Sequence, residues 1–369
     1  MVDLLGQYLK IKEEIDEKMA RIIETCAFVG GPAVHEFNLS LAEYLGVKHV
    51  TGCGNGTDAI MIALMALDLK PGDEVITVSH TFVATAEAIA LLGLKPVFVD
   101  VLPDTYTIDP KAIENAITPR TRCIMPVHLY GQSADMEAVM KIALTHDLYV
   151  IEDNAQAIGA DYIFKDGSRQ KTGTIGHIGC TSFYPSKNLG CYGDGGAIFT
   201  NDDLLAEKIR LIANHGQQTK YDSTMIGVNS RLDALQAVVL STKLKSLNRY
   251  NESRLRVADF YDEAFKNAEN ITVPFRASYS THVFHQYTLC INGDRDALKQ
   301  ALQEQGIPTM IYYPIPIHLQ KAYLPLGYAK GSLPVTEHLA KQVISLPIHT
   351  EMTLEQLQYI AQTVLNLTA

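Results

Sequence analysis

Three short segments of the chain hold residues whose types and spacing could do chemistry. Lys187 stands in "SFYPSKNLGCYGDGGAIFTND", residues 182–202, past a short apolar run and ahead of glycines 190, 193, 195 and 196. Asp153 falls at the end of the most apolar run, "LYVIEDN", with Gln156 three residues further on. "GCGNGTDAIMIAL", residues 52–64, joins a strand-like "KHVTGC" to an apolar helix. An amine becomes a nucleophile when it loses its proton cheaply, and a strand-end cleft beside a cationic cofactor depresses its pKa. A solvated surface lysine is the plainer use of the residue, but it leaves the crowd of glycines behind Lys187 unexplained; with Pro185 they let backbone approach a ligand closely. Asp153 either caps a following helix or, from a strand's carboxyl end, holds a protonated ring nitrogen. The glycine turn has Thr57 where a dinucleotide fingerprint needs its third glycine, and no ribose-binding acid follows at the expected distance. What remains is either a structural turn with Asp58 in the first helical turn, or a helix start whose free N–H groups and Thr hydroxyl suit one phosphate. Ser182, five residues before Lys187, offers another hydroxyl. An acid at one strand end, a phosphate-binding helix start at another and a lysine at a third together describe a pyridoxal-phosphate site.

The surrounding pattern is able to place three such groups side by side. Apolar β-branched runs at 74–78, 95–100, 123–130, 148–154 and 196–202 alternate with helix-period segments such as "TDAIMIALMALDL" and "MEAVMKIALTHD". Strict alternation marks an α/β fold, a mostly parallel central sheet with helices on both faces. Such sheets bind ligands at the carboxyl ends of their strands. After about Leu244 a long helical stretch, a strand-like "HQYTLCING" and the Pro-rich "YYPIPIHLQ" indicate a smaller C-terminal α+β domain. The expected division is a large α/β domain over 1–245 and a small domain over 246–369, with no internal repeat.

Composition narrows the class further. The net charge is −10 over 369 residues, with acids and bases mixed along the chain. No basic face is available to displace counterions from a nucleic acid, so no nucleic-acid partner is expected. Six cysteines form no CxxC pair, which argues against a disulfide framework and a structural metal site. No apolar run reaches membrane-spanning length and the acidic, amphipathic N-terminus is unlike a signal peptide. A soluble cytoplasmic enzyme without a metal or membrane partner is the expectation.

The segments "GNGTDAI", "HTFVATAEAI", "LYGQSADM", "IEDNAQAIGA", "SFYPSKNLGCYGDGGAIFTND", "GVNSRLDALQA" and "YYPIPIHLQ" resemble the DegT/DnrJ/EryC1/StrS family of sugar-nucleotide aminotransferases, over essentially the whole chain. The resemblance implies the fold-type-I, aspartate-aminotransferase-like architecture and pyridoxal 5'-phosphate as cofactor. It implies Lys187 as Schiff-base lysine and proton shuttle, Asp153 as partner of the pyridine nitrogen and Gln156 as neighbour of the ring hydroxyl. Gly56, Thr57 and Ser182 would hold the phosphate, and Phe82 would lie flat on the ring unless it is an ordinary core phenylalanine. Asn229 would reach the phosphate in the partner subunit, which implies a homodimer with shared active sites.

Relatives that dehydrate sugars carry histidine at the lysine position, so lysine here favours transamination from glutamate, with 2-oxoglutarate released. The likeness is greatest to enzymes that aminate C3 of UDP-2-acetamido-3-keto-glucuronic acid for bacterial surface polysaccharide. Arg231 would then grip the substrate carboxylate, since a guanidinium fork matches it with two hydrogen bonds, or would form an ordinary interface ion pair. Tyr312 and Tyr313 depart from the histidine–tyrosine pair of those enzymes. "HLQ" at His318–Gln320 resembles enzymes acting on dTDP-3-keto-6-deoxyhexoses, and either reading puts Tyr312, Tyr313 and His318 near the sugar, whereas a structural Pro-rich turn would leave them solvated. A regulator that kept the fold and lost catalysis is the rival of a different class, disfavoured by an intact Lys187 and Asp153.

Overall fold

A computed structural model describes residues 1–368. Seven strands form the central sheet: β1 His49–Cys53, β2 Glu74–Val78, β3 Lys95–Val99, β4 Thr121–Ile124, β5 Tyr149–Asp153, β6 Ile178–Ser182 and β7 Gly196–Thr200. Their order is β1-β7-β6-β5-β4-β2-β3. β7 runs antiparallel to both its neighbours, β1 and β6, and the remaining pairs are parallel. The strict alternation read from the sequence breaks after β5: residues 154–177 form turns and a short hairpin, Asp161–Ile163 with Arg169–Lys171, and β6 and β7 follow each other directly. No helix joins them, because the connecting residues 183–195 are the proline- and glycine-rich segment around Lys187. The expected strand over 123–130 is also shorter than its apolar run, ending at Ile124 ahead of Pro126, which has no N–H to give to a ladder.

The helices Gly56–Ala66 and Ala84–Leu91 pack together on one face, and the first is apolar nearly all round, as befits a helix buried between the sheet and other helices. On β5, successive side chains point to opposite faces. Asp153 points to the strand-end cleft, while Glu152 is fully buried and accepts hydrogen bonds from His128 Nε2 (2.8 Å) and from the N–H groups of Gly173, Ile175 and Gly176 (2.8, 2.6 and 2.5 Å). His128 Nδ1 accepts the N–H of Ala134, so its proton is on Nε2. A carboxylate with four donors ties the end of β5 to the loop leading into β6.

The C-terminal part has its own antiparallel sheet, Ile271–Thr272, Tyr287–Ile291 and Val343–Leu346, covered by helices Arg295–Glu304 and Leu354–Thr368. Helix Leu247–Phe265 spans both parts: Leu247 packs with Phe37, Phe183 and Leu189, while Val257, Tyr261 and Phe265 enter the C-terminal core.

The loop carrying Lys187 is fastened on both sides. Phe183 is fully buried, edge-on to Phe37 with ring centroids 5.5 Å apart, and Leu189 and Cys191 lie in the same cluster. Asn188 donates to Asn251 Oδ1 (2.8 Å) and to the carbonyl of Val283 (2.9 Å). Gly190 lies so close to the Pro185 carbonyl that a Cβ would sit 2.3 Å from its oxygen. The buried Lys243 donates to the Gly190 carbonyl (2.8 Å) and stands 4.5 Å from the centre of the Tyr192 ring. Phe183→Ala should lower the unfolding free energy by about 3–5 kcal/mol. Urea denaturation measures it, and a loss below about 1 kcal/mol would mean that Phe183 is not an anchor.

Candidate active site

A cavity of about 740 Å³ opens at the carboxyl ends of the strands. Its wall includes Gly56, Thr57, Phe82, Asp153, Gln156, Ser182, Lys187, Tyr312 and Tyr313, nine of the twelve residues singled out in the sequence.

The floor on one side is the start of helix Gly56–Ala66. Asn55 caps it, its Oδ1 accepting the N–H of Asp58 at 2.8 Å, which leaves the N–H groups of Gly56 and Thr57, both on the cavity wall. Gly56 is required there by contact: a Cβ would lie 2.7 Å from the Ser182 Cβ. Helix start and Ser182 hydroxyl therefore share one corner, a donor set that fits a phosphate. Asp58 accepts the Ser230 hydroxyl at 2.6 Å.

Asp153 is not a helix cap, because the residues after it form turns and no helix follows. Its Oδ1 accepts the N–H of Ala155 (3.2 Å) and its Oδ2 the hydroxyl of Thr85 (2.8 Å). Gln156 is oriented at both ends. Its Oε1 accepts the N–H of Tyr130 (2.8 Å) and its Nε2 donates to the Tyr313 hydroxyl (3.1 Å). Phe82 is 54% exposed, with its ring centroid 6.1 Å from that of Tyr313, so it is no core residue. The exposed face borders the cavity.

Lys187 is half-buried in the wall, and its neighbourhood pushes the amine pKa down to about 8. Burial is the larger influence, with the negative charge of Asp153 pulling the other way. His285, also on the wall, is pushed well below its ordinary range by burial and by the charges of Lys187 and Arg254, and is neutral.

Three of the residues singled out in the sequence are elsewhere. His318 lies in the interior: its Nδ1 is 2.8 Å from the Ser79 hydroxyl and its Nε2 is 3.2 Å from Glu337 Oε1, so it ties the Pro-rich segment to β2 and does not line the cavity. It is not solvated either, as a free proline-rich turn would leave it. Asn229 and Arg231 are exposed on the segment after the hairpin 217–223, and Arg231 Nη1 is 3.3 Å from Asn214 Oδ1. Residues passed over in the sequence, among them Thr85, Tyr184, Asp194 and Gln286, complete the wall. Thr85 stood inside "HTFVATAEAI", where a hydroxyl four residues past Thr81 was its only signal.

A buried acid, an anion-binding helix start and a lysine amine of lowered pKa gathered on one cavity define a pyridoxal-phosphate transferase of fold type I. The contact-filled corner at Gly56 and the carboxylate at Asp153 suit the two ends of that cofactor. The chain belongs to the DegT/DnrJ/EryC1/StrS aminotransferase family, whose model matches residues 9–365, and it is a pyridoxal-phosphate-dependent aminotransferase. It is 48% identical to a pleiotropic regulatory protein of Geobacillus stearothermophilus, over 99% of this chain and 97% of the relative. It is 45% identical to the UDP-2-acetamido-2-deoxy-3-oxo-D-glucuronate aminotransferase of Pseudomonas aeruginosa, over 99% of both chains. The crystal structure of DesV from S. venezuelae, in complex with a ketimine intermediate, superposes with a TM-score of 0.96 at 39% identity, covering 100% of this chain and 97% of that one.

Only the neutral amine attacks an aldehyde, and with a pKa of about 8 Lys187 is mostly protonated below that pH. The rate at which cofactor-free protein takes up pyridoxal phosphate should therefore rise from pH 6.5 to about pH 8 and level off above. Stopped-flow absorbance measures it. A rise that continues past about pH 10 would show an unperturbed lysine.

Proposed function

We propose that the enzyme moves the amino group of glutamate to C3 of a nucleotide-linked 3-keto-sugar, with UDP-2-acetamido-2-deoxy-3-oxo-glucuronate as the substrate and bacterial surface polysaccharide as the destination. The observation that carries the aminotransferase part is the pairing of Lys187 and Asp153 in one cavity. The sugar rests on the 45% identity, over nearly the full length of both chains, to the Pseudomonas enzyme of that name. Of the "HLQ" segment that pointed to deoxyhexose substrates, His318 is occupied by Ser79 and Glu337 and lends that alternative no support. The regulatory name of the Geobacillus relative is no reason to doubt catalysis when the lysine and aspartate are both in place.

Pyridoxal phosphate, when bound, supplies an aldehyde that exchanges amines and a ring that accepts electrons. In this reading the helix start at Gly56 and Thr57, with Ser182, binds the phosphate. Asp153 keeps the ring nitrogen protonated, Gln156 donates toward the ring hydroxyl and Phe82 covers a ring face. Lys187 Nζ would take the proton from the α-carbon of glutamate as base and return it as acid to the cofactor carbon that carries the aldehyde, with its lowered pKa suited to both steps near neutrality. The second half-reaction runs the same proton path backwards toward C3 of the sugar. Tyr312, Tyr313 and Gln286 at the wall face the incoming sugar.

Among the described residues that line the cavity, Lys187 is the one cationic side chain, set against Asp58, Asp153 and Asp194. A nucleotide diphosphate and two kinds of carboxylate must enter nonetheless, so cations have to come from outside this wall. A second copy that presents Arg231 supplies one, with the Asn229 amide beside it as a neutral donor. Exposed Phe28 and Val29, the latter bridged to Asp233 beside Arg231, and exposed Tyr221 and Ile226 give that segment an apolar margin of the kind subunit contacts cover. The homodimer is thus part of the proposal, as is residence in a reducing cytoplasm, supported by six free cysteines. No helix among the described residues is long and apolar enough to cross a membrane.

The test measures 2-oxoglutarate released from glutamate with the UDP-linked 3-keto-uronate and with a dTDP-3-keto-6-deoxyhexose. Release with the first and little with the second is expected; the reverse preference overturns the substrate, and sugar consumption without 2-oxoglutarate overturns transamination. Mixing Lys187→Ala with Arg231→Ala protein extends the test to the shared site. Each variant alone should be nearly inactive, whereas exchanged dimers should recover about a quarter of wild-type turnover, since half the dimers are hybrids with one intact site. No recovery, with exchange verified, places Arg231 in its own chain's site or in none.

A further inference from the structure

The assignment of Asp153 to the ring nitrogen requires that its carboxylate be held at a fixed angle. The torsion about Cβ–Cγ of an aspartate is broad, so one anchor leaves the carboxylate free to turn. Asp153 is 5% exposed and has a donor on each oxygen: the Ala155 N–H on Oδ1 at 3.2 Å and the Thr85 hydroxyl on Oδ2 at 2.8 Å. Thr85 is 1% exposed and sits in the first turn of helix Ala84–Leu91. A second hydroxyl, that of Thr81 at 3% exposure, is 3.1 Å from Thr85 Oγ1.

A hydroxyl carries one proton. The proton of Thr85 is committed to the carboxylate, which can only accept, so the proton between the two threonines must come from Thr81. The chain Thr81 to Thr85 to Asp153 therefore has one direction, and all three residues line the cavity. The neighbouring Phe82 borders the same cavity, so "TFVAT" sets one aromatic on the cavity, Thr85 on the acid and Thr81 on Thr85.

We propose that Thr81 and Thr85 are positioning residues for the cofactor, a directed pair of hydroxyls that fixes the rotation of the Asp153 carboxylate and keeps a free lone pair aimed at the ring nitrogen. The proposal rests on the role given to Asp153. Valine at position 85 keeps the shape of threonine but gives no donor, so Oδ2 loses its partner in a buried setting and the carboxylate is anchored on one side only. Serine keeps the donor.

The experiment compares Thr85→Val, Thr85→Ser, Thr81→Val and Asp153→Asn by two readouts: the dissociation constant of pyridoxal phosphate for cofactor-free protein, by fluorescence titration, and the pH midpoint of the visible absorbance of loaded protein. Thr85→Val should weaken cofactor binding about 10- to 100-fold, the worth of one hydrogen bond to a charged group, and should move the absorbance midpoint. Thr85→Ser should stay within about threefold of wild type, and Thr81→Val should shift both readouts in the direction of Thr85→Val by a smaller factor. A residue that only fills space would move the binding constant of Thr85→Ser and leave the absorbance midpoint of Thr85→Val in place, which would overturn the proposal. So would wild-type behaviour of Thr85→Val in protein whose Asp153→Asn variant loses both. Wild-type behaviour of Asp153→Asn instead overturns the role of Asp153 itself. If Thr85→Val fails to fold, Thr81→Val decides, and unchanged readouts there contradict the directed chain.

Discussion

A charged amine taken out of water loses solvation that only a nearby opposite charge can return, and at Lys187 the loss exceeds the return. Burial lowers its pKa to about 8 although Asp153 is close enough to oppose the shift. That imbalance makes the lysine usable near neutral pH, as nucleophile and as proton carrier, and it exists only while the loop keeps the amine inside the wall and off the surface. Much of the surrounding structure serves this end. Phe183 and Leu189 are sunk in an apolar cluster, Asn188 is bonded to two elements, and Lys243 holds the Gly190 carbonyl. With the flanking residues fixed inward, Lys187 is left on the cavity side.

The same economy of placement is visible on β5. Consecutive carboxylates, Glu152 and Asp153, face opposite ways because strand side chains alternate. One accepts four donors and secures the strand end to the loop before β6; the other is delivered to the cleft with a threonine and a backbone N–H to steady it. The sheet brings these pieces together because strand carboxyl ends in a parallel array all open on one edge. β7, which runs the other way, returns the chain after the lysine loop and lets β1 join the sheet beside it, so that Ser182 and Gly56 meet.

What could be read in the sequence was local and periodic. The runs at 74–78, 95–100 and 148–154 became strands with little change, and the glycine turn, the strand-end acid and the lysine among glycines all reached one cavity. What could not be read depended on partners distant in the chain. His318 lies in a proline-rich segment that gives no sign of whether it faces a ligand or the interior; Ser79 and Glu337 decide it, from 239 and 19 residues away. Apolar residues past Ile124 looked like more strand until Pro126 withheld a donor. Thr85 was invisible for the opposite reason, since a threonine in an apolar helix is ordinary until the acid it donates to is known. Asn229 and Arg231 are exposed and away from the cavity, Asn229 bridged to Asn214 and Arg231 within reach of its side chain, an arrangement their own sequence neighbourhood does not announce.

Attachment of the cofactor aldehyde to the Nζ of residue 187 is what gives the cavity its chemistry. Borohydride reduction of the purified, cofactor-loaded protein, followed by proteolysis and mass spectrometry, reads that attachment site directly. The expected result is a single phosphopyridoxyl-bearing peptide that includes Lys187 and is missing from the Lys187→Ala variant. Label on Lys243 or on a surface lysine, or colour that borohydride cannot fix to the chain, would contradict it.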